Sequence, residues 1–182
     1  LTNKHPRLNV HNPGPGVGGH CISIDPWFIV EKFPEDAKLI TLSRNINDSM
    51  PYHVVEIIKK EIKGIENPIV TIFGVSYKGN VDDARETPAL RIIELLQGEN
   101  CKIKIYDPLI KEFKYKLCNL NDAVKDSDCI VIVADHDDFK ILDIDKIGNL
   151  MRNKILIDTR NYLEYDKWKS YGFKVKILGV PK

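Results

Sequence analysis

Residues 69–90 read IVTIFGVSYKGNVDDARETPAL, and their order of strand, loop and helix decides the fold. IVTIFG (69–74) is a short strand-like apolar run, and TPALRIIELLQGE (87–99) carries its apolar residues at helical spacing. A dinucleotide-binding turn between them would need a second and a third glycine at fixed offsets from the first. This loop has only Gly74 and Gly79, with the cations Lys78 and Arg85 in and beyond it. Two readings stay open: a Rossmann-like loop that meets a phosphate with cationic side chains, or a solvated basic loop.

The same alternation continues toward the C-terminus. Strand-like runs recur at 102–107, 129–135, 154–159 and 173–179, with helical patterns at 120–127 and 143–151. Short strands separated by helices predict an α/β fold, a doubly wound, Rossmann-like parallel sheet covered on both faces. Ligands bind beyond the carboxyl ends of such strands, so the informative loops are GVSYKGNVDDARE, YDP, ADHDD and DTRNY.

Toward the N-terminus the pattern is helical from 26 to about 64. PWFIVEKF ends at Pro34, and Leu39, Leu42, Ile46, Met50, Val54, Ile57, Ile58 and Ile62 then form an apolar stripe closed by Gly64. Ser49 and Pro51 read as an N-cap and a first-turn proline, so this is one kinked helix or two in tandem. The stripe predicts ordinary packing, with a dimer-forming helix as the sharper alternative. Residues 1 to 25 are irregular and rich in Gly, Pro, Asn and His. A domain rarely begins on a loop of this kind without a scaffold before it, and we expect an N-terminal part to precede Leu1. The division expected is 1–66, the end of a helical segment, and 67–182, the α/β domain.

That irregular region contains NPGPGVGGHCISIDPWF (12–28), which matches G-x-G-x-x-G through Gly14, Gly16 and Gly19. The match is a decoy, because LTNKHPRLNVHNP before it is broken by Pro6 and Pro13 and supplies no buried strand. Its glycines serve instead to let backbone approach a ligand at Cys21. Cys21 precedes a helix start, where backbone N–H groups and the helix dipole favour a thiolate. Cys101, Cys118 and Cys129 adjoin apolar runs and read as small core residues, and no cysteine spacing suits a disulfide framework or zinc. His20 has no second ligand at useful spacing, so no metal is expected.

Bulk properties are those of an ordinary globular chain: 182 residues, 43% hydrophobic, 29% charged, net charge +1. Nothing in them asks for nucleic acid or a membrane surface, and no run is long enough to span a bilayer. With no signal peptide, the expected compartment is the cytoplasm.

Taken in order, HPR…PGPGVGGHCISIDPWF, RNIND, FGVSYKGNVDDARETPAL and YDP resemble the UDP-glucose/GDP-mannose dehydrogenase family over essentially the whole chain. His20 and Asp25-Pro26 resemble the branch that acts on N-acetylhexosamines. The resemblance implies an NAD-dependent oxidation of a UDP-N-acetyl sugar at its C6 hydroxyl, through two hydride transfers and a thiohemiacetal and thioester on Cys21. Asp25 matches the aspartate that positions or activates water, although a helix N-cap is as good a reading of it. His5 and Arg7 match a pair that reaches the UDP-sugar from a neighbouring subunit. Asn12, Gly14, Gly16 and Gly18 match the loop around sugar and diphosphate. Tyr77 and Lys78 match UDP contacts, Arg85 an arginine facing NAD, and Arg160 a substrate-site arginine.

On the family's plan this chain resembles the end of a dimerising central segment plus the UDP-binding domain, without the NAD-binding domain. A homodimer or higher homo-oligomer follows, and the chain alone is expected to be inactive. Three alternatives stay open: a UDP-N-acetylglucosamine or UDP-glucose substrate, a nucleotide-binding or dimerisation module without chemistry, and an α/β domain that itself binds NAD with Asp107 on a ribose hydroxyl.

Overall fold

The computed structural model describes residues 4–7 and 12–180. Among them, β1 (Ile69–Phe73), β2 (Lys102–Tyr106), β3 (Cys129–Ile132), β4 (Ile155–Asp158) and β5 (Lys174–Ile177) form one sheet in the order β2-β1-β3-β4-β5. Every neighbouring pair is parallel. The crossovers carry α3 (Pro88–Gly98), α4 (Leu120–Val124), α5 (Ile144–Leu150) and α6 (Tyr165–Ser170). From β1 the chain winds outward to β2, then returns past β1 to β3. The reversal leaves a crevice beyond the carboxyl ends of β1 and β3, the topological switch point of a doubly wound sheet.

Strand side chains alternate between two cores, as the period of two requires. Val70 and Ile72, Cys129 and Val131, and Ile155 and Ile157 face one side, against Ile92, Ile93 and Leu96 of α3. Phe73, Ile130, Ile132 and Leu156 face the other, against Ile144, Ile147, Trp168 and Phe173. With both faces covered, β3 reads as an unbroken apolar run and β1 is broken only by the buried Thr71. Each fully buried aliphatic or aromatic side chain contributes about 1.5–3 kcal/mol.

Before the sheet come α1 (Asp25–Lys32) and α2 (Lys38–Glu61). The tandem-helix alternative is corrected: α2 is one element that runs through Pro51. Ser49 does not cap a second helix, because its hydroxyl donates back to the Ile46 carbonyl at 2.7 Å. The C-terminal half of α2 buries Val54, Val55 and Ile58 in the first core, so the helical segment and the α/β unit share one hydrophobic interior. No helix among the described residues is long and apolar enough to cross a membrane.

Candidate active site

The loop between β1 and α3 is fixed at both ends by the sheet. Gly74 donates its N–H to Tyr106 at 2.9 Å, and the Thr87 side chain caps α3 by accepting from the Ala89 N–H at 3.3 Å. Within the loop, Tyr77 N–H donates to the Asp83 carbonyl at 2.9 Å. Arg85 wraps onto Asp83, with Nε 3.0 Å from each carboxylate oxygen and Nη2 2.5 Å from Oδ2. The Arg85 side-chain bonds, joined by its backbone N–H, hold the Asp83 carboxyl down at about 2. Lys78 is exposed, with no ion pair among the described residues.

The glycine loop lies across this one. Gly19 N–H donates to the Arg85 carbonyl at 3.1 Å. A Cβ on Gly18 would stand 2.2 Å from the Glu86 carbonyl oxygen and 3.1 Å from Tyr77 Cβ, so only glycine permits the contact. Gly19, at φ +88°, lies against the edge of the Tyr77 ring. Cys21 follows, exposed and within electrostatic reach of the Arg85 guanidinium.

The helix-terminus argument for Cys21 needs correction. It is the Cys21 carbonyl, and not its thiol, that takes the N–H groups of Ile24 (3.0 Å) and Asp25 (2.8 Å). Asp25 is likewise not the N-cap. It is the first residue of α1, Ile24 occupies the cap without a side-chain bond, and the exposed Asp25 carboxylate has no hydrogen-bond partner among the described residues.

Helix α2 braces the loop from below. Asn47 Oδ1 accepts from Val17 N–H at 2.8 Å, Arg44 Nη1 donates to the Ile22 carbonyl at 3.3 Å, and Arg44 Nη2 pairs with Asp48 at 2.7 Å. These residues belong to the RNIND stretch, which pins the Cys21 loop to the helix. At the other end of the loop, Gly14 packs on the Arg160 guanidinium, where a Cβ would stand 2.2 Å from Nη1. Arg160 is largely buried, 3.2 Å from Asp135 Oδ1. Its own loop is gathered by Asp158, which accepts from the N–H groups of Arg160 (2.8 Å), Tyr162 (2.8 Å) and Leu163 (3.0 Å). A cleft of about 630 Å³ opens here, bordered by Asn12, Gly14, His53, Asp135, Arg160 and Tyr162.

The fold therefore brings Asn12, Gly14, Gly16, Gly18, Cys21, Tyr77, Lys78, Arg85 and Arg160 to one end of the sheet. His5 and Arg7 form an exposed turn, with Arg7 N–H donating to His5 Nδ1 at 3.3 Å, and no contact among the described residues joins them to the others. Asp107 cannot hold a ribose. It is buried and accepts from the N–H groups of Val75, Ser76, Leu109 and Ile110 and from His136. Burial raises its carboxyl, but the bonds from His136, Ile110, Val75 and Leu109 outweigh that and keep it below the ordinary range. Sequence reasoning assigned no role to His136 or Asn47. The bond from Val17 to Asn47 and those of His136 to Ser76, Asn80 and Asp107 span 29 to 60 residues, beyond the reach of any local pattern.

Residues 71–165 match the UDP binding domain of the UDP-glucose/GDP-mannose dehydrogenase family, and residues 1–49 match its central domain. The chain belongs to this family. Among curated relatives it is 53% identical over 185 residues to a UDP-N-acetyl-D-mannosamine dehydrogenase of Methanocaldococcus jannaschii, covering all of this chain and 43% of that protein. It is 51% identical over 184 residues to one of Methanococcus vannielii, covering 98% and 43%. A solved structure of UDP-D-ManNAc dehydrogenase from Pyrococcus horikoshii superposes with a TM-score of 0.83 at 35% identity, over 98% of this chain and 42% of that one. The chain thus spans less than half the length of these family members.

Proposed function

We propose that this chain is the nucleophile-bearing and substrate-binding part of an NAD-dependent UDP-N-acetyl-D-mannosamine 6-dehydrogenase. Residues 1–66 would end its central helical segment and 67–182 form its UDP-binding domain. The observation that carries this reading is the convergence at one end of the sheet of the Cys21 loop, the Tyr77–Arg85 loop and Arg160, joined through Gly14, Gly18 and Gly19.

In this reading Lys78 and Arg160 meet the diphosphate, Tyr77 supports the uridine end, and Asn12 to Gly18 wrap the sugar. His5 and Arg7 serve the UDP-sugar of a neighbouring subunit, and exposed Trp27, Phe28, Leu39, Leu42 and Ile46 offer an apolar face for a homo-oligomer. Cys21 Sγ adds to the carbonyl carbon of the C6 aldehyde, the oxygen takes a proton, and the thiohemiacetal keeps the aldehyde from escaping. Asp25 orients the water that attacks the later thioester; the C–S bond breaks, and the thiolate returns to Cys21.

Of the described residues, Arg85 would meet NAD, since its exposed guanidinium lies near Cys21. The crevice between β1 and β3 does not fit a dinucleotide, being filled where Gly79 packs on Asp135 and His136 on Asp107. NAD would supply the hydride acceptor for sugar C6.

The test is NADH formation by the intact protein with UDP-N-acetyl-D-mannosamine, UDP-N-acetylglucosamine and UDP-glucose. Fastest turnover of the first is expected. Preference for either of the others would reassign the substrate, and UDP binding without turnover of any would favour a module without chemistry.

A further inference from the structure

The β1–α3 loop carries the residues that our functional reading sets against UDP, and one side chain outside it governs its shape. His136, in the segment after β3, is fully buried. Its Nδ1 accepts the Asn80 N–H at 3.0 Å, so its proton sits on Nε2. Nε2 lies 3.0 Å from Ser76 Oγ and 3.2 Å from Asp107 Oδ2. Ser76 spends its own hydroxyl proton on the Lys78 carbonyl at 2.7 Å, so toward His136 it accepts. Donor and acceptor senses are thereby set throughout: Nε2–H faces two acceptors, and Nδ1 faces a donor.

The consequence falls on Lys78. Its own carbonyl is held by the Ser76 hydroxyl, and the Asn80 N–H, two residues on, by Nδ1, so both ties converge on the one imidazole. The same docking is reinforced nearby. Asn80 exchanges bonds with Asp137, at 2.7 Å from Nδ2 and 2.9 Å to Oδ1, and holds φ +61°. Gly79 lies so close to the Asp135 carbonyl that a Cβ would stand 2.2 Å from its oxygen. Lys78 itself reaches outward with no ion pair among the described residues, so its direction is set by its backbone.

We propose that His136, as the neutral Nε2–H tautomer, is a positioning residue that aims Lys78 at the diphosphate of the bound nucleotide without touching the ligand. This rests on the UDP-binding reading above.

The test is a double-mutant cycle on UDP affinity in the intact protein. His136→Gln keeps a donor at the ε position and deletes the acceptor for Asn80. Lys78→Met removes the cation that is being aimed. If His136 acts through Lys78, each single change weakens UDP binding, by about fivefold to tenfold, and His136→Gln costs less than about twofold once Lys78 is Met. Uridine, which has no phosphate, binds wild type and His136→Gln alike. Equal losses from His136→Gln in both backgrounds, or equal losses for UDP and uridine, would overturn the proposal. Should His136→Gln not fold, Ser76→Ala cuts the tie to the Lys78 carbonyl and takes its place in the same cycle. A wild-type protein that binds no UDP would overturn the functional reading itself, a result distinct from an additive cycle.

Discussion

At Cys21 the structure separates one thiol from the other three. Cys21 is exposed beside Arg85, whereas burial pushes Cys101 and Cys129 up and out of reach, and Cys118 is half-buried. Alkylation at neutral pH followed by peptide mapping is expected to label Cys21 first, because it alone of the four thiols is exposed to the reagent. Cys21→Ala is expected to reduce turnover by roughly a thousandfold or more while leaving UDP affinity within about twofold, as assayed by NADH formation and calorimetry. Asp83 supplies a pH dependence of definite sign. Its folded value, about 2, is depressed from 3.8 by Arg85. The pair's contribution is therefore present in full above about pH 4 and lost as pH falls toward 2. Melting curves of wild type and Arg85→Met, compared from pH 7 to 2, are expected to converge over that window.

Among elements, the decisive relation is that of the glycine loop to its neighbours. Gly18→Ala sets a Cβ against the backbone oxygen of Glu86, which cannot swing aside as a side-chain tip could. A cost of about 1–3 kcal/mol is expected from thermal unfolding, with weaker UDP binding because the loop is pushed off Tyr77. Asn47→Ala strips the acceptor from Val17 N–H and is expected to cost about 1 kcal/mol, with faster proton exchange at the loop amides. The elements themselves were legible where periodicity is strong: the strands starting at Ile69, Lys102 and Cys129 and the helix from Pro88 are found at the expected positions. Pro51 and Ser49 misled, because a proline inside a helix is tolerated when the following turns are held by packing, here Val54, Val55 and Ile58. The six residues of α6 escaped notice because a single buried side chain, Trp168, stacked edge-on at 4.8 Å from Phe173, anchors them.

For the whole molecule, topology converts scattered residues into one site. The glycine loop around 14–18, Tyr77 and Arg160 are far apart in the chain, and parallel winding places the loops after β1 and β4 at the same end of the sheet, with the glycine loop lying across both. The motif residues could be read from the sequence because each carries its own chemistry. The supports could not: Asn47, Asp107, His136 and Asp158 are ordinary polar residues until the fold brings backbone N–H groups to them. The central claim is that this end of the sheet holds a uridine nucleotide. The most direct test is thermal unfolding of the chain with UDP and, separately, with NAD. At about 100 times its dissociation constant a ligand adds roughly 2.7 kcal/mol, well within reach of a melting curve. A shift with UDP that Lys78→Met diminishes is the predicted result. A shift with NAD and none with UDP would contradict the account and withdraw the roles given to Tyr77, Lys78 and Arg160.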